Sequence, residues 1–352
     1  MLKRFKLFNC GFILVLFVLS LALTSCNSGT SEKTLRTPTI GKATIDTATE
    51  PTGHSASKPA VIPSTYSLTI LSTNDIHGHI ETLPEYATIV KQVRSERKNV
   101  LLLDAGDVFK RGKYENYQGK IEMDIYNEMG YDAMVLGNNE FKVPGSKKSK
   151  KNSGTLEDSD KQISSLIKWA QFPILCGNVK LKDTNKYIDG TKPYTVIDVN
   201  EVKVGIIGVT STAPKEEKLD MTVNKDFISP QKAVKQLLPE VKRVSDIQIV
   251  LSHAGMSNDK KVKDVSAIIG GHDHIRTLKP VVSNGIPIMQ AGGEELHYLG
   301  RVDLEFKQKD NNWVLDSFST NLYPADGIVK DERIKRIIDD YRKRPIPTLN
   351  VK

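Results

Sequence analysis

Seven residues of metal-binding type stand at the ends of apolar runs in this chain. They are Asp75 and His77 in "LSTNDIHGH", Asp107 in "LLLDAGDVF", Asn138 in "MVLGNNEFK", His253 in "IVLSHAG", and His272 with His274 in "AIIGGHDH". In open α/β sheets ligands collect beyond the carboxyl ends of strands, so five such ends meeting at one edge would gather two carboxylates, one amide and four imidazoles. Mixed nitrogen and oxygen donors without thiolate suit two divalent transition metals such as zinc or manganese. Two cations about 3.5–4 Å apart can acidify a shared water, aim it in line at phosphorus and neutralise the phosphoryl oxygens without a protein nucleophile. Each residue alone has an ordinary alternative. A lone Asp-x-His or His-x-His is commonly a turn, Asp107 could cap a helix, Asn138 could occupy a left-handed turn, and His253 or His272 could be core histidines. The joint occurrence carries the weight, together with Gly78, Gly106, Gly137, Gly255 and Gly271, which would let backbone approach a crowded site.

The elements that must position these residues are legible from Tyr66 onward. Short β-branched runs alternate with segments of helical spacing, which predicts an α/β domain over residues 66–350. Strands are expected at "YSLTILSTND", "VLLLDAGD", "DAMVLGNNE", "FPILCGNV", "IQIVLSHAG" and "VSAIIGGHDH", with a hairpin joining "YTVIDVN" to "VKVGIIGVT". Helices are expected around "PEYATIVKQVRSERKN", "KIEMDIYNEMG", "KQISSLIKWAQ" and "PQKAVKQLLPEVKRV". Three antiparallel strands, "PIMQAGG", "LGRVDLEF" and "WVLDSFST", and a charged helix, "KDERIKRIIDDYRKR", should close the domain.

Lys3, Arg4 and Lys6 precede the apolar stretch "LFNCGFILVLFVLSLAL", so residues 1–25 read as an export signal rather than a resident membrane helix. The word "LTSC" resembles the lipobox of bacterial lipoproteins. That resemblance implies acylation of Cys26, palmitate included, and a protein of the cell envelope anchored outside the cytoplasmic membrane, since each buried CH2 is worth about 0.8 kcal/mol. Residues 26–65, rich in Ser, Thr and Pro, are expected to form a flexible tether. Cys176 is then the one free thiol of the mature chain, and stability must come from an apolar core. The formal charge of +8 falls to +5 once the three basic residues of the signal leave. Part of the excess lies in the Lys-rich segment 146–154, a solvated loop or a contact for anionic phosphate. No interleaved aromatics or recognised module point to a specific nucleic acid partner.

The words "NDIHGH", "GDVF", "GNNEF", "LSHAG", "GHDH" and "QAGGEELHYLGRVDLEF" run from Asn74 to Phe306. In that order they are similar to those of the calcineurin-like metallophosphoesterases, and within them the bacterial 5'-nucleotidase branch. The resemblance implies a four-layer α-β-β-α sandwich of two packed mixed sheets and a metal-dependent hydrolase of phosphorylated small molecules. It also implies a dinuclear site in which Asp75, His77 and His274 hold one metal, Asn138, His253 and His272 hold the other, and Asp107 bridges them.

Two departures from the family pattern bear on activity. The family word is usually Gly-Asn-His-Glu, and its histidine, often paired with a downstream aspartate, assists the leaving group; here those positions are Asn139 and Lys142. General acid catalysis is typically worth 10² to 10⁴-fold, so slow turnover of poor leaving groups is expected, and a catalytically degenerate metal-binding scaffold or binding lipoprotein is the alternative. Lys142, the Lys-rich segment or His79 could partly substitute. The nucleotidases also carry a C-terminal nucleotide-binding domain with aromatic residues that clamp the base; none is expected here, and Trp169 and Trp313 read as packing residues.

Overall fold

Leu101, Leu102 and Leu103 in strand β2 (Val100–Asp104) are all buried, because the strand is covered on both faces. Leu101 and Leu103 face a second sheet, whereas Leu102 faces helices, as the two-residue period of a strand requires. The same alternation runs through β1 (Thr65–Thr73), where Leu68 and Ile70 point to the second sheet and Leu71 to the helical side. The computed structural model describes residues 64–109, 112–142, 156–216, 222–293 and 298–348. All lie in the compact unit Val61–Lys352, and its three apolar clusters are drawn wholly from that unit. The expected signal, Cys26, nearly all of the tether and the Lys-rich segment 146–154 fall outside the described residues. Among the described residues no helix is long and apolar enough to cross a membrane.

The first sheet has the order β14 (Asn312–Pro324), β13 (Tyr298–Lys309), β1, β2, β3 (Ala133–Val135), β4 (Ile174–Leu175). Here β1 to β4 run parallel, and β13 and β14 form an antiparallel hairpin on the β1 edge. The second has the order β11 (Val281–Ser283), β12 (Ile286–Met289), β10 (Ala267–Gly270), β9 (Ile247–His253), β7 (Val202–Thr210), β6 (Tyr194–Val199). In it β7, β9, β10 and β12 are parallel, with β6 and β11 antiparallel at the edges. Helices α1 (Leu83–Glu96), α2 (Lys120–Met129), α3 (Leu156–Trp169) and α7 (Glu332–Lys343) cover the first sheet. A single short helix, α4 (Ala213–Glu216), follows β7, and helix α5 (Pro230–Val244) and the short α6 (Met256–Asp259) cover the second sheet. Two mixed sheets packed face to face between helical layers are the architecture expected from the sequence.

Two details differ from that expectation. "PIMQAGG" does not join the closing strands of the first sheet; its strand β12 lies in the second, parallel to β10 and antiparallel only to β11. Ile286, Ile288 and Met289 are all buried there, so a continuous apolar run concealed which sheet the strand would enter. A small two-stranded sheet, β5 (Val179–Leu181) with β8 (Lys225–Phe227), was not read from the sequence either, since three residues give too little period to detect. The hairpin of β6 and β7 is present, and Asn200 and Glu201 both take positive φ (52° and 72°) in the tight turn between them. Trp169 and Trp313 are partly buried against the apolar clusters.

Candidate metal centre

Parallel strands deliver their carboxyl ends to one edge, and here both sheets do so. Asp75 and His77 follow β1, Asp107 follows β2, Asn138 follows β3, His253 ends β9, and His272 and His274 follow β10. The chain must turn sharply at each of these ends. Asp75, His77, Asp107, His272 and His274 all have positive φ, between 45° and 84°. Non-glycine residues adopt this left-handed region at a cost of roughly 1–3 kcal/mol each, so the turns are held by the surrounding structure. Gly137 is required by contact: a Cβ there would lie 2.1 Å from Asp107 Oδ1 and 2.4 Å from Asp107 N.

All seven residues converge. Asp75, His77 and His274 form one group whose ligand atoms lie within 4.8 Å of one another, and Asp75, Asp107 and His253 form a second. The Nε2 atoms of His77 and His274 are 3.2 Å apart. Asn138 Oδ1 lies 2.8 Å from His272 Nδ1 and 3.2 Å from His253 Nε2. Asp107 Oδ2 stands between the two sets, 3.7 Å from His77 Nε2 and 3.3 Å from His253 Nε2. All but the two rim residues, His272 and His274, are buried.

The donor set fits cations on two observations. Asp75 Oδ1 is buried and receives no hydrogen bond, while His274 Nε2, His253 Nε2 and His77 Nε2 stand 3.4, 3.8 and 3.9 Å away. A buried carboxylate oxygen without a donor is costly, and a cation among those nitrogens satisfies it. His253 Nδ1 donates to the Ala105 carbonyl at 2.6 Å, which turns Nε2 inward in the manner of a metal-ligating histidine, where a cation would take the place of its proton. Electrostatics follow the same geometry. Burial disfavours the charged imidazole of His253, but the Asp107 and Asp75 carboxylates outweigh it and push His253 up to about 10. Burial likewise opposes ionisation of Asp107, yet the His253 and His77 imidazoles and the Asn139 hydrogen bond hold its carboxyl well below the usual range. Burial and the neighbouring His253 lower His272.

Asn139 does not stand idle at the position of the expected acid. Its backbone N–H donates to Asp107 Oδ1 at 2.7 Å and its side-chain amide donates to Asp107 Oδ2 at 2.5 Å, so both carboxylate oxygens are braced. Lys142 ends the same turn, with its N–H on the Asn139 carbonyl and its own carbonyl accepting from Gln162 Nε2. His79 precedes the single turn at Ile80–Thr82.

Several supporting residues had no role assigned from the sequence. Glu140, fully buried, accepts from the backbone N–H of Gly137 (2.6 Å), Asp107 (3.0 Å) and Val108 (3.0 Å), tying the loops that carry Asn138 and Asp107 to each other. Asn74 accepts from Ala291 N–H and donates to Asp75 Oδ2, while the Gly292 carbonyl accepts a second bond from its amide. Asp104 accepts from Thr73 Oγ1, Tyr126 Oη and Gly106 N–H, fixing the turn before Asp107; burial still pushes it up to about 7. Glu140 and Asn74 stand inside the words "GNNEF" and "NDIHGH", which was the available signal.

Comparison with known proteins agrees with this geometry. The family described as calcineurin-like phosphoesterase matches residues 68–276. The trifunctional nucleotide phosphoesterase protein YfkN of Bacillus subtilis (strain 168) is 33% identical over 270 residues, covering 69% of this chain and 18% of that protein. The 5'-nucleotidase of Bos taurus is 31% identical over 338 residues, covering 81% of this chain and 54% of that protein. The chain therefore spans only part of the length of these relatives. The crystal structure of YfkN from Bacillus subtilis superposes with a TM-score of 0.65 at 24% identity, covering 79% of this chain and 97% of the other, a likeness of fold.

Proposed function

The chain belongs to the calcineurin-like phosphoesterase family, and from that premise we propose that it is a metal-dependent hydrolase of small phosphoesters or phosphoanhydrides. The observation that carries this reading is the convergence of seven donor residues from both sheets at one edge, with the buried Asp75 Oδ1 among three imidazole nitrogens and no hydrogen bond to it. Asp75, His77 and His274 would hold one divalent cation and Asn138, His253 and His272 the other, with Asp107 between the two sets. Cations bound there would supply an acidified water for attack on phosphorus and neutralise phosphoryl charge. The chain's own contribution is orientation: Ala105 fixes His253, Asn139 clamps Asp107, and Glu140 locks the two loops together. An amide at Asn139 has no proton to give near neutral pH, so leaving groups of low pKa, such as phosphoanhydrides and aryl phosphates, are favoured over alkoxides. Nucleotides are the substrate class suggested by the names of the relatives, a nucleotide phosphoesterase and a 5'-nucleotidase.

The export signal and "LTSC" support placement of the domain outside the cytoplasmic membrane through an acylated Cys26. Loss of labelled palmitate incorporation in Cys26→Ser tests that anchor. For the activity, residues 27–352 are assayed with manganese or zinc against an aryl phosphate, an aryl phosphodiester and a nucleotide panel. Hydrolysis that disappears in Asp107→Asn is the expected result. Asn139 and Lys142 in place of the family's histidine and aspartate favour the second reading, a metal-binding scaffold or binding lipoprotein; tight metal binding with no turnover of any of these substrates would establish it and overturn the first.

A further inference from the structure

Several lysines on this molecule are paired with acids, among them Lys91 with Asp331, Lys120 with Asp124, Lys225 with Asp160, Lys307 with Asp316 and Lys335 with Asp339. One face gathers lysines that are not. On the outer side of the second sheet, α5 and the segment 261–264 enclose a groove of about 800 Å³. Lys232, Lys235, Lys242, Lys261 and Lys263 line it, all exposed, and none has an ion pair among the described residues. Asp264 is the one acid of the lining, and Glu240 on the same helix is taken up by the Tyr194 hydroxyl at 2.7 Å. Between the ammonium groups the lining is apolar. Val234, Leu238 and Val262 form a nearly buried floor, and the exposed Pro239 and the lysine stems form the walls. The apolar character continues sideways: Asn284 donates to the Lys260 and Val262 carbonyls, and Val282 beside it is 51% exposed.

Unpaired lysine heads above an apolar trough match a surface that carries anionic groups on an apolar support. Lysine stems rest on apolar matter while their heads seek charge. We propose that this face docks on an anionic phospholipid bilayer, with lipid phosphates taken by the five lysines. A soluble polyanion would satisfy the charges and leave the exposed Pro239 and the lysine stems uncovered, which favours the bilayer. The proposal goes beyond hydrolysis and draws support from the Cys26 anchor reading without depending on it. Cys26 precedes Thr65 by 39 residues, and at roughly 3.3–3.6 Å per extended residue that segment is long enough to let this face lie on the membrane. The groove lies on the outer helical layer, whereas the metal centre lies at the carboxyl edge of the sheets, so docking leaves the centre open.

The test uses the unit Val61–Lys352, which contains all three apolar clusters and carries no acyl chain, so its outcome is separate from that of the anchor. Co-sedimentation is measured with phosphatidylcholine vesicles and with vesicles containing phosphatidylglycerol, at low and high salt. Binding is expected only to the anionic vesicles and should weaken with salt. A lysine near an anionic surface multiplies binding about five-fold, so Lys235→Ala/Lys261→Ala/Lys263→Ala should lower it on the order of 100-fold. Thermal melting and aryl phosphate hydrolysis by the triple variant should match the parent. Equal binding to neutral vesicles, undiminished binding of the triple variant, or retention of polyphosphate with no vesicle binding would each overturn the proposal.

Discussion

Glu140 offers the sharpest test of how the metal centre is held, because its carboxylate satisfies three buried backbone N–H groups at once. Oε2 accepts from Gly137 and Asp107, and Oε1 accepts from Val108. Replacement by alanine leaves three buried donors without partners, and each orphaned donor costs about 1–3 kcal/mol. Relaxation shares part of that loss, so about 3–6 kcal/mol is expected for Glu140→Ala. Glutamine keeps the volume and can aim its one oxygen at Gly137 and Asp107, which sets its NH₂ against the Val108 N–H. One bond is lost and two donors face each other, about 1–3 kcal/mol by the same measure. At about 2 °C per kcal/mol for a unit of this size, melting should fall by about 2–6 °C in Glu140→Gln and about 6–12 °C in Glu140→Ala. Both variants should also bind zinc or manganese more weakly, since Asp107 and Asn138 are carried by the two loops that Glu140 joins. The assay is calorimetric melting together with metal titration. An alanine variant that melts within 1–2 °C of the parent and titrates metal unchanged would refute the reasoning, as would a glutamine variant worse than alanine.

Asn139→His, by restoring a group that can give a proton, should raise turnover of alkyl phosphates by up to 10² to 10⁴-fold while changing aryl phosphates little; unchanged alkyl rates would show that this position does not face the leaving group. It should also cost some metal affinity, because the side-chain brace on Asp107 Oδ2 is removed. Gly137→Ala should abolish hydrolysis and weaken metal binding, since its Cβ would displace the Asp107 carboxylate 2.1 Å away; retained activity would contradict that crowding. Burial pushes the Glu122 carboxyl from 4.5 up to about 8, and its Oε2 has no hydrogen-bond partner. A raised acid stabilises the fold in its neutral form, so the contribution is complete below about pH 4.5 and is lost as pH rises toward 8, at roughly 1.4 kcal/mol per unit. Glu122→Gln should therefore melt progressively higher than the parent between pH 5 and pH 8, and parallel pH profiles would rule out this origin.

The sequence by itself determined the strand ends and the kind of chemistry they bear. Apolar runs closing in Asp75, Asp107, Asn138, His253 and His272 are local patterns, legible because burial on both faces demands unbroken apolar residues and a turn demands polar ones or glycine. Position along a strand is local information as well, which is why the strands of the parallel cores and the flanking helices could be read, whereas their division into two packed sheets followed only from the family resemblance. Tertiary structure decided what local pattern cannot carry. It placed β12 in the second sheet, since a buried strand looks alike in either. It made Asn139, which stands where the acid was expected, a clamp on Asp107, and it made Glu140 the joint between two loops, because the partners of a hydrogen bond some thirty residues apart are fixed only when the strands come side by side. It also gathered along one groove five lysines that have no ion pair among the described residues; lysines scattered from 232 to 263 become a single surface only when α5 and the segment before β10 are laid against the same sheet.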